Sequence, residues 1–482
     1  MVTRRVRAPH FDFAALRREL DLPDRFPPAA QREAEQAAAA PLPDRPDRTD
    51  VPFVTIDPIG SRDLDQAMCL TRRPGGYRVQ YAIADVAAFV RPGGALEEET
   101  WLRGQTIYLP DGNVPLHPVA LSEGAASLLP ERTRAAVLWT IDLDADGGTT
   151  AVTLERALVR SRAQLDYATV QGQLDAGTAA EPIALLPEIG TLLTERGLDR
   201  GAINLPLPEQ EIEPDGAGYR LVLRPPLPSE EHNAQISLLT GVAAAGIMLA
   251  GGVGLLRTMP APDPAAVERL RAAAHALGIA WPDGAAVGRV IAAVDAADPR
   301  GAAFLDQAAE LMRGAGYTAF DGTAPEQPGH GGVAASYAHV TAPLRRLADR
   351  YATEACLALT AGLAVPEWAR EALPKLPKVM SGTDRVSNAA ARGAVDLTEA
   401  VLLHDRIGET FDAGVVDVDS PRRTAPAPAN AGEAARQSGG TVALDEPPVR
   451  GRCTGELPLG ERVRVTLVTA DPVKRTVLFT RK

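Results

Sequence analysis

An α+β fold is predicted from three observations. Strand patterning dominates from Val51 to about Leu158, helical patterning dominates from Pro228 to Leu403, and a separate series of short strands starts near Phe411. The domains expected are an N-terminal helical segment and linker over 1–50, a mixed α/β body over 51–408, and a small OB-type barrel over 409–482 with a flexible loop at 420–439.

The N-terminal segment is read as helical from Phe13, Leu16 and Leu20 and from the Ala-rich Gln31 to Ala40, ending in a Pro- and Asp-rich linker, Pro41 to Asp50. In the body, Tyr77 to Ile83 alternates as a half-buried strand does, and Ala136 to Leu143 is an apolar strand before an Asp-Gly turn. The Ala-rich amphipathic stretches from Pro228 onward are broken at Pro and Gly, as separate helices are. Ile236 to Leu256 is uncharged and long enough to span a bilayer, but its many glycines and its lack of aromatic belts favour a buried helix ending in a Gly-rich turn. In the last domain Val415–Val418, Gly440–Leu444, Arg462–Val468 and Thr476–Thr480 read as short strands.

Composition excludes several classes. The chain is 45% apolar and 23% charged, as globular proteins are, and no apolar signal core follows the basic start. Its three cysteines lack CxxC spacing, which argues against a disulfide framework or a zinc site and for the reducing cytosol. A net charge of −12 is unusual for a protein that binds phosphates, although Pro448 to Lys482 is locally basic. That tail reads either as a phosphate-facing surface or as a solvated charged face.

The most informative segment is Phe53 to Ala67. Asp57, Asp63 and Asp65 come after a β-branched run, and Pro58, Gly60 and Ser61 force a turn that lets the carboxylates converge. Converging carboxylates repel unless a hard cation sits among them, and Mg²⁺ takes oxygen ligands while leaving room for substrate phosphate. The chemistry this allows is metal-assisted phosphodiester cleavage; an Asp-rich turn with capping side chains is the alternative. Far along the chain, Pro343 is expected at the first turn of a helix, with Arg345 and Arg346 inside that turn. Amide groups at a helix start plus guanidinium forks suit phosphate.

Together these segments resemble the ribonuclease II (RNB) family. Thr55-Ile56-Asp57 and then Asp63-Leu64-Asp65-Gln66-Ala67 match its Thr-Ile-Asp and Asp-x-Asp-Asp-Ala pattern. Ile83-Ala84-Asp85-Val86, Tyr108-Leu109-Pro110 and, in looser form, His330 to Val333 and Thr341 to Leu347 come in the family's order. The resemblance implies an RNB-type catalytic domain; as a departure from the family, a short form without N-terminal cold-shock domains is expected. The resemblance also implies Mg²⁺-dependent (or Mn²⁺-dependent) 3′-to-5′ hydrolysis of single-stranded RNA to nucleoside 5′-monophosphates. By the same resemblance, Asp57, Asp63 and Asp65 are metal ligands, with Asp65 the most critical for catalysis. Arg345 is the clamp on the scissile phosphate, Tyr108 stacks on terminal bases, Tyr167 helps set how short an end product the channel holds, and Arg346 and Arg392 contact substrate.

Departures qualify it. The fourth family aspartate is Gln66, placed here in the metal set as a neutral ligand, with Asp85 either a substitute carboxylate or structural. A family glutamate appears as Ala391 before Arg392, the Ser before the Pro is Ala342, and the Tyr after the Arg pair is Leu347. Two other functions are therefore weighed: an RNA-binding pseudoenzyme, and a phosphodiesterase for short oligonucleotides. No membrane or protein partner is expected, and the chain is expected to be a monomer.

Overall fold

A computed structural model of the chain describes residues 4–8, 11–216, 218–419 and 439–481. The strands of the body close into a barrel: Phe53–Ile56, Gln66–Arg73, Gly76–Ala84, Thr133–Asp144 and Thr149–Leu165, joined in that order. Closure comes from parallel pairing of the first strand with the last, Val54 opposite Ala163 and Ile56 opposite Leu165. The alternation at Tyr77, Val79, Tyr81 and Ile83 faces inward, where these side chains meet Trp139 and Ile141 in the main core. Strand structure thus runs to Leu165, beyond the expected limit at Leu158.

Helix Pro228–Gly251 packs against helices Leu186–Arg200 and Leu347–Thr360 and stops where Gly252 takes a left-handed φ of 73°. It is long and apolar enough to cross a membrane, yet Ile236, Ala244, Ala245 and Met248 lie in the main core. The predicted helix does not reach Leu256: Val253–Thr258 is a strand, paired antiparallel with Gly316–Asp321. The region read as helical therefore contains a ribbon. Helix Leu347–Thr360 comes next, and then the long helix Leu376–Leu403.

The N-terminal segment is not wholly helical. Helices Ala14–Glu19 and Pro28–Ala39 are present, but Arg4–Ala8 is a strand at the edge of a sheet with Gly218–Arg224 and Glu209–Asp215. Phe13 and Leu16 are buried with Ala390 and Ala394 of the long helix, so this segment is integral to the body.

Five strands, Thr410–Val418, Gly439–Leu444, Arg450–Thr454, Arg462–Asp471 and Thr476–Thr480, close the C-terminal barrel. Residues 420–438, nearly all of the expected flexible loop, lie outside the described residues. The barrel is docked on the body: Leu221 and Leu403 share its core, Arg450 pairs with Asp306, and Arg475 reaches Glu19 at 2.6 Å. The basic tail is largely neutralised by its own protein. Arg452 pairs with Asp419, Arg462 with Asp445, and Arg464 stands 3.8 Å from Asp412. Cys69, Cys356 and Cys453 are all free and buried.

Candidate active site

The first barrel strand ends at Ile56, and the Asp57 amide still donates to Leu165 O across the closure, so Asp57 leaves the barrel in a fixed direction. The chain turns at Pro58–Ser61, where Ser61 N donates to Pro58 O and Gly60 takes a φ of 85° that a side chain would resist. Leu64 is buried, its amide held by Ser127 Oγ at 3.0 Å, which fixes the backbone between Asp63 and Asp65. Asp63 accepts a 2.7 Å hydrogen bond from the Tyr108 hydroxyl. Asp65 is buried and accepts from the Leu344 amide at 2.7 Å.

That amide belongs to a segment 279 residues away. Arg345 Nε stands 3.4 Å from Asp65 Oδ2, at ion-pair distance but without hydrogen-bond alignment. The turn carrying Arg345 is gripped on several sides. Its Thr341 carbonyl accepts from Gln66, the Leu344 carbonyl faces His117 Nδ1 at 3.0 Å, and the Arg345 carbonyl accepts from Thr106 N. Burial holds His117 down to about 4, so its imidazole is neutral and serves as an Nδ1–H donor to that carbonyl.

Electrostatics mark Asp57 and Asp65. Burial pushes the Asp57 carboxyl up to about 7, with Arg345 pulling it back and Asp63 adding to the rise. Burial pushes Asp65 up to about 8, against the pull of Arg345 and the Leu344 amide. Asp57 Oδ2 is buried with no hydrogen-bond partner. Hard oxygen donors in a site short of positive charge fit a hard divalent cation. Among the described residues, however, no three His, Cys, Asp or Glu side chains are gathered tightly enough to enclose a metal ion. The convergence expected from the turn is thus incomplete, since Asp63 is drawn to Tyr108 and Asp65 to Leu344 and Arg345.

Several other expectations need correction. Pro343 precedes the helix, which begins at Leu347; Arg346 pairs as an isolated β-bridge with Gln105 instead of lying in a first turn. Arg346 makes a two-pronged bond to the fully buried Asp349, at 3.0 and 2.8 Å, so its charge is paired inside the protein. Gln66 is not a free ligand: its oxygen accepts from the Tyr81 hydroxyl and its nitrogen donates to Thr341 O, both at 2.6 Å. Asp85 is locked by Arg45 at 2.7 Å and Arg156 at 3.0 Å, which leaves the structural role. Arg392 is exposed on the long helix, where its charge acts on Asp396, and it has no described contact with the aspartates.

The two tyrosines do border the site. Tyr108 is 47% exposed beside Asp63. Tyr167 opens helix Tyr167–Asp175, capped by Asp166, and its hydroxyl accepts from Asn233 at 3.2 Å. Tyr167 and Pro58 also line a cavity of about 900 Å³, with Asn204, Glu231 and Arg200 further along its walls. Sequence reasoning missed His117, Asn233 and this cavity. Only the placement of His117 just beyond the Tyr108 segment hinted at a role.

Comparison with known proteins agrees with this architecture. The RNB domain pattern matches residues 45–359, and the RNase II-type exonuclease C-terminal S1 domain matches residues 409–482. Ribonuclease R of Escherichia coli (strain K12) is 27% identical, over 78% of this chain and 49% of its own length. The chain spans about half the length of the curated relatives it matches. The apo form of Mycoplasma genitalium RNase R superposes with a TM-score of 0.82 at 20% identity, over 97% of this chain and 77% of that one. Yeast Ssd1, described as a pseudonuclease, superposes at 0.67 with 16% identity, over 90% of this chain and 52% of that one.

Proposed function

We propose that this chain, which belongs to the RNB-domain family, is a cytosolic exoribonuclease that hydrolyses single-stranded RNA from its 3′ end to nucleoside 5′-monophosphates with the help of Mg²⁺. One observation carries the reading. Buried Asp65 and partly buried Asp57 both feel a guanidinium brought from a distant segment, and Pro58 and Tyr167 beside them line a cavity of about 900 Å³.

Asp57 and Asp65, with Asp63 beside them, are the residues to hold the cation, whose contribution is Lewis-acid polarisation of the phosphate and an acidic bound water. The protein's own groups do the remaining work. Arg345 offsets charge that builds on the scissile phosphate, from a turn already fixed before substrate arrives. Tyr108 offers an exposed ring for base stacking, worth about 1–3 kcal/mol per base. The cavity past Tyr167 receives the 3′ end.

The test uses 5′-labelled single-stranded RNA with Mg²⁺, beside an Asp65→Asn variant and an EDTA control. A ladder that shortens from the 3′ end and disappears in both controls supports the reading. A second reading, an RNA-binding pseudoenzyme, is favoured by the commitment of Gln66 and by the ungathered carboxylates. It gains if RNA is bound but left intact across Mg²⁺ and Mn²⁺ titrations.

A further inference from the structure

We infer that Gln66 is a positioning residue that fastens the Arg345 turn to the catalytic barrel, and that it is not itself a ligand of the cation. The inference rests on the proposed hydrolase and concerns which residues set up its site.

The argument is one of hydrogen-bond polarity. Gln66 opens the second barrel strand, immediately after Asp65. Its amide makes two bonds of opposite sense: the oxygen receives the Tyr81 hydroxyl and the NH₂ group gives to the Thr341 carbonyl. Tyr81 is fully buried, and Thr341 is 3% exposed. An amide can accept on one side and donate on the other in this way. An ionised carboxylate accepts only, so at this position it would set an oxygen against the Thr341 carbonyl. The family pattern's aspartate is also one methylene shorter than Gln66. The identity of residue 66 therefore suits the bridge and not a cation.

Past Thr341 the bridge governs the backbone that carries Arg345. The Thr341 hydroxyl is paired with Ser237 Oγ at 2.8 Å, which extends the link to helix Pro228–Gly251. Next in the chain, the Ala342 amide donates to Asp349 and the Leu344 amide to Asp65. Gln66 thus holds the near end of a short span whose far end presents Arg345 to Asp65. Both sides of the reacting pocket are drawn from residues 65–66 and 341–345, and Gln66 sets their separation. It does so without adding a negative charge to a pocket where burial already works against two carboxylates.

The experiment compares the parent with Gln66→Leu, which removes both bonds at similar volume. Tyr81→Phe, which removes one bond within a barrel position of the same shape, serves as the second variant should Gln66→Leu fold poorly. Mn²⁺ affinity by electron paramagnetic resonance, amide exchange over residues 341–347, and kcat and KM on a short RNA are read for each. The clamp predicts faster exchange over 341–347 in Gln66→Leu and a smaller increase in Tyr81→Phe. It also predicts Mn²⁺ affinity within about twofold of the parent, and a kcat loss of at least about tenfold at near-constant KM. Combining Gln66→Leu with Arg345→Ala is expected to cost little more than Arg345→Ala alone, because both act through one group. Mn²⁺ affinity that falls tenfold with unchanged exchange makes Gln66 a ligand and overturns the inference. A parent that does not hydrolyse RNA refutes the hydrolase instead, and the exchange and Mn²⁺ readings still decide the clamp.

Discussion

Asp57 and Asp65 carry opposing demands of stability and chemistry. Both hold their protons more tightly folded than unfolded, to about 7 and about 8 against an ordinary value of 3.8. The folded state therefore binds more protons than the unfolded one between those values, and stability falls as pH rises across that window. A cation that binds the ionised pair offsets the loss. Mg²⁺ is accordingly expected to raise the melting temperature more at pH 8 than at pH 5, measured by calorimetry at fixed ionic strength; an equal gain at both would refute the assignment. Asp65→Asn should stabilise the cation-free protein at pH 8 while lowering kcat at least about a hundredfold. The closeness of Asp57, Asp63 and Asp65 along the chain was legible in the sequence, since a single turn at Pro58–Ser61 separates the first from the other two. The partners of Gln66 and His117 were not, since Thr341 and Leu344 lie 275 and 227 residues away.

The turn from Thr341 to Arg346 is where an element departs most from its local pattern. Pro343, two arginines and an apolar run in succession read as a helix start, yet the backbone there is claimed by the Gly104–Thr106 segment. Leu347 N donates to Gly104 O, and Thr106 N donates to Arg345 O. Tertiary pairing overrides the propensity and delays the helix to Leu347. Asp349 is the anchor, holding the Ala342 amide and both prongs of Arg346 from a fully buried position. Asp349→Ala leaves that guanidinium unpaired and is expected to cost about 3–5 kcal/mol in urea unfolding. Asp349→Asn, which retains one acceptor, should cost less. The missed strand Val253–Thr258 has a simpler cause: a short apolar run after a glycine fits a strand and a helix end equally well until Gly316–Asp321 pairs with it.

For the whole molecule, the α+β class, the body and the small C-terminal barrel were all readable from strand and helix periodicity. The relation between the parts was not, because it depends on side chains far apart in sequence. The basic C-terminal stretch illustrates this: five of its arginines have acidic partners within the protein. Arginines already paired displace few counterions on meeting phosphate, so this stretch should add little to the salt dependence of the proposed RNA binding. Titrating a labelled 12-mer between low and moderate salt tests this. A steep slope means that these pairs open to meet phosphate. Arg475→Glu sets two acids together at the contact with Glu19 and should speed amide exchange along strand Thr476–Thr480, at a stability cost of about 1 kcal/mol or less.

The three cysteines have a practical consequence. Burial raises the thiols of Cys69 and Cys453 to about 11, and that of Cys356 further still, so none forms an appreciable thiolate near neutral pH. A cysteine introduced at a solvent position would then be the one fast-reacting thiol in an otherwise unaltered background. Val473, 91% exposed on the C-terminal barrel, and Leu102, 79% exposed on the body, offer such positions. A dye pair placed there turns the spacing of barrel and body into an optical signal, readable as RNA is added.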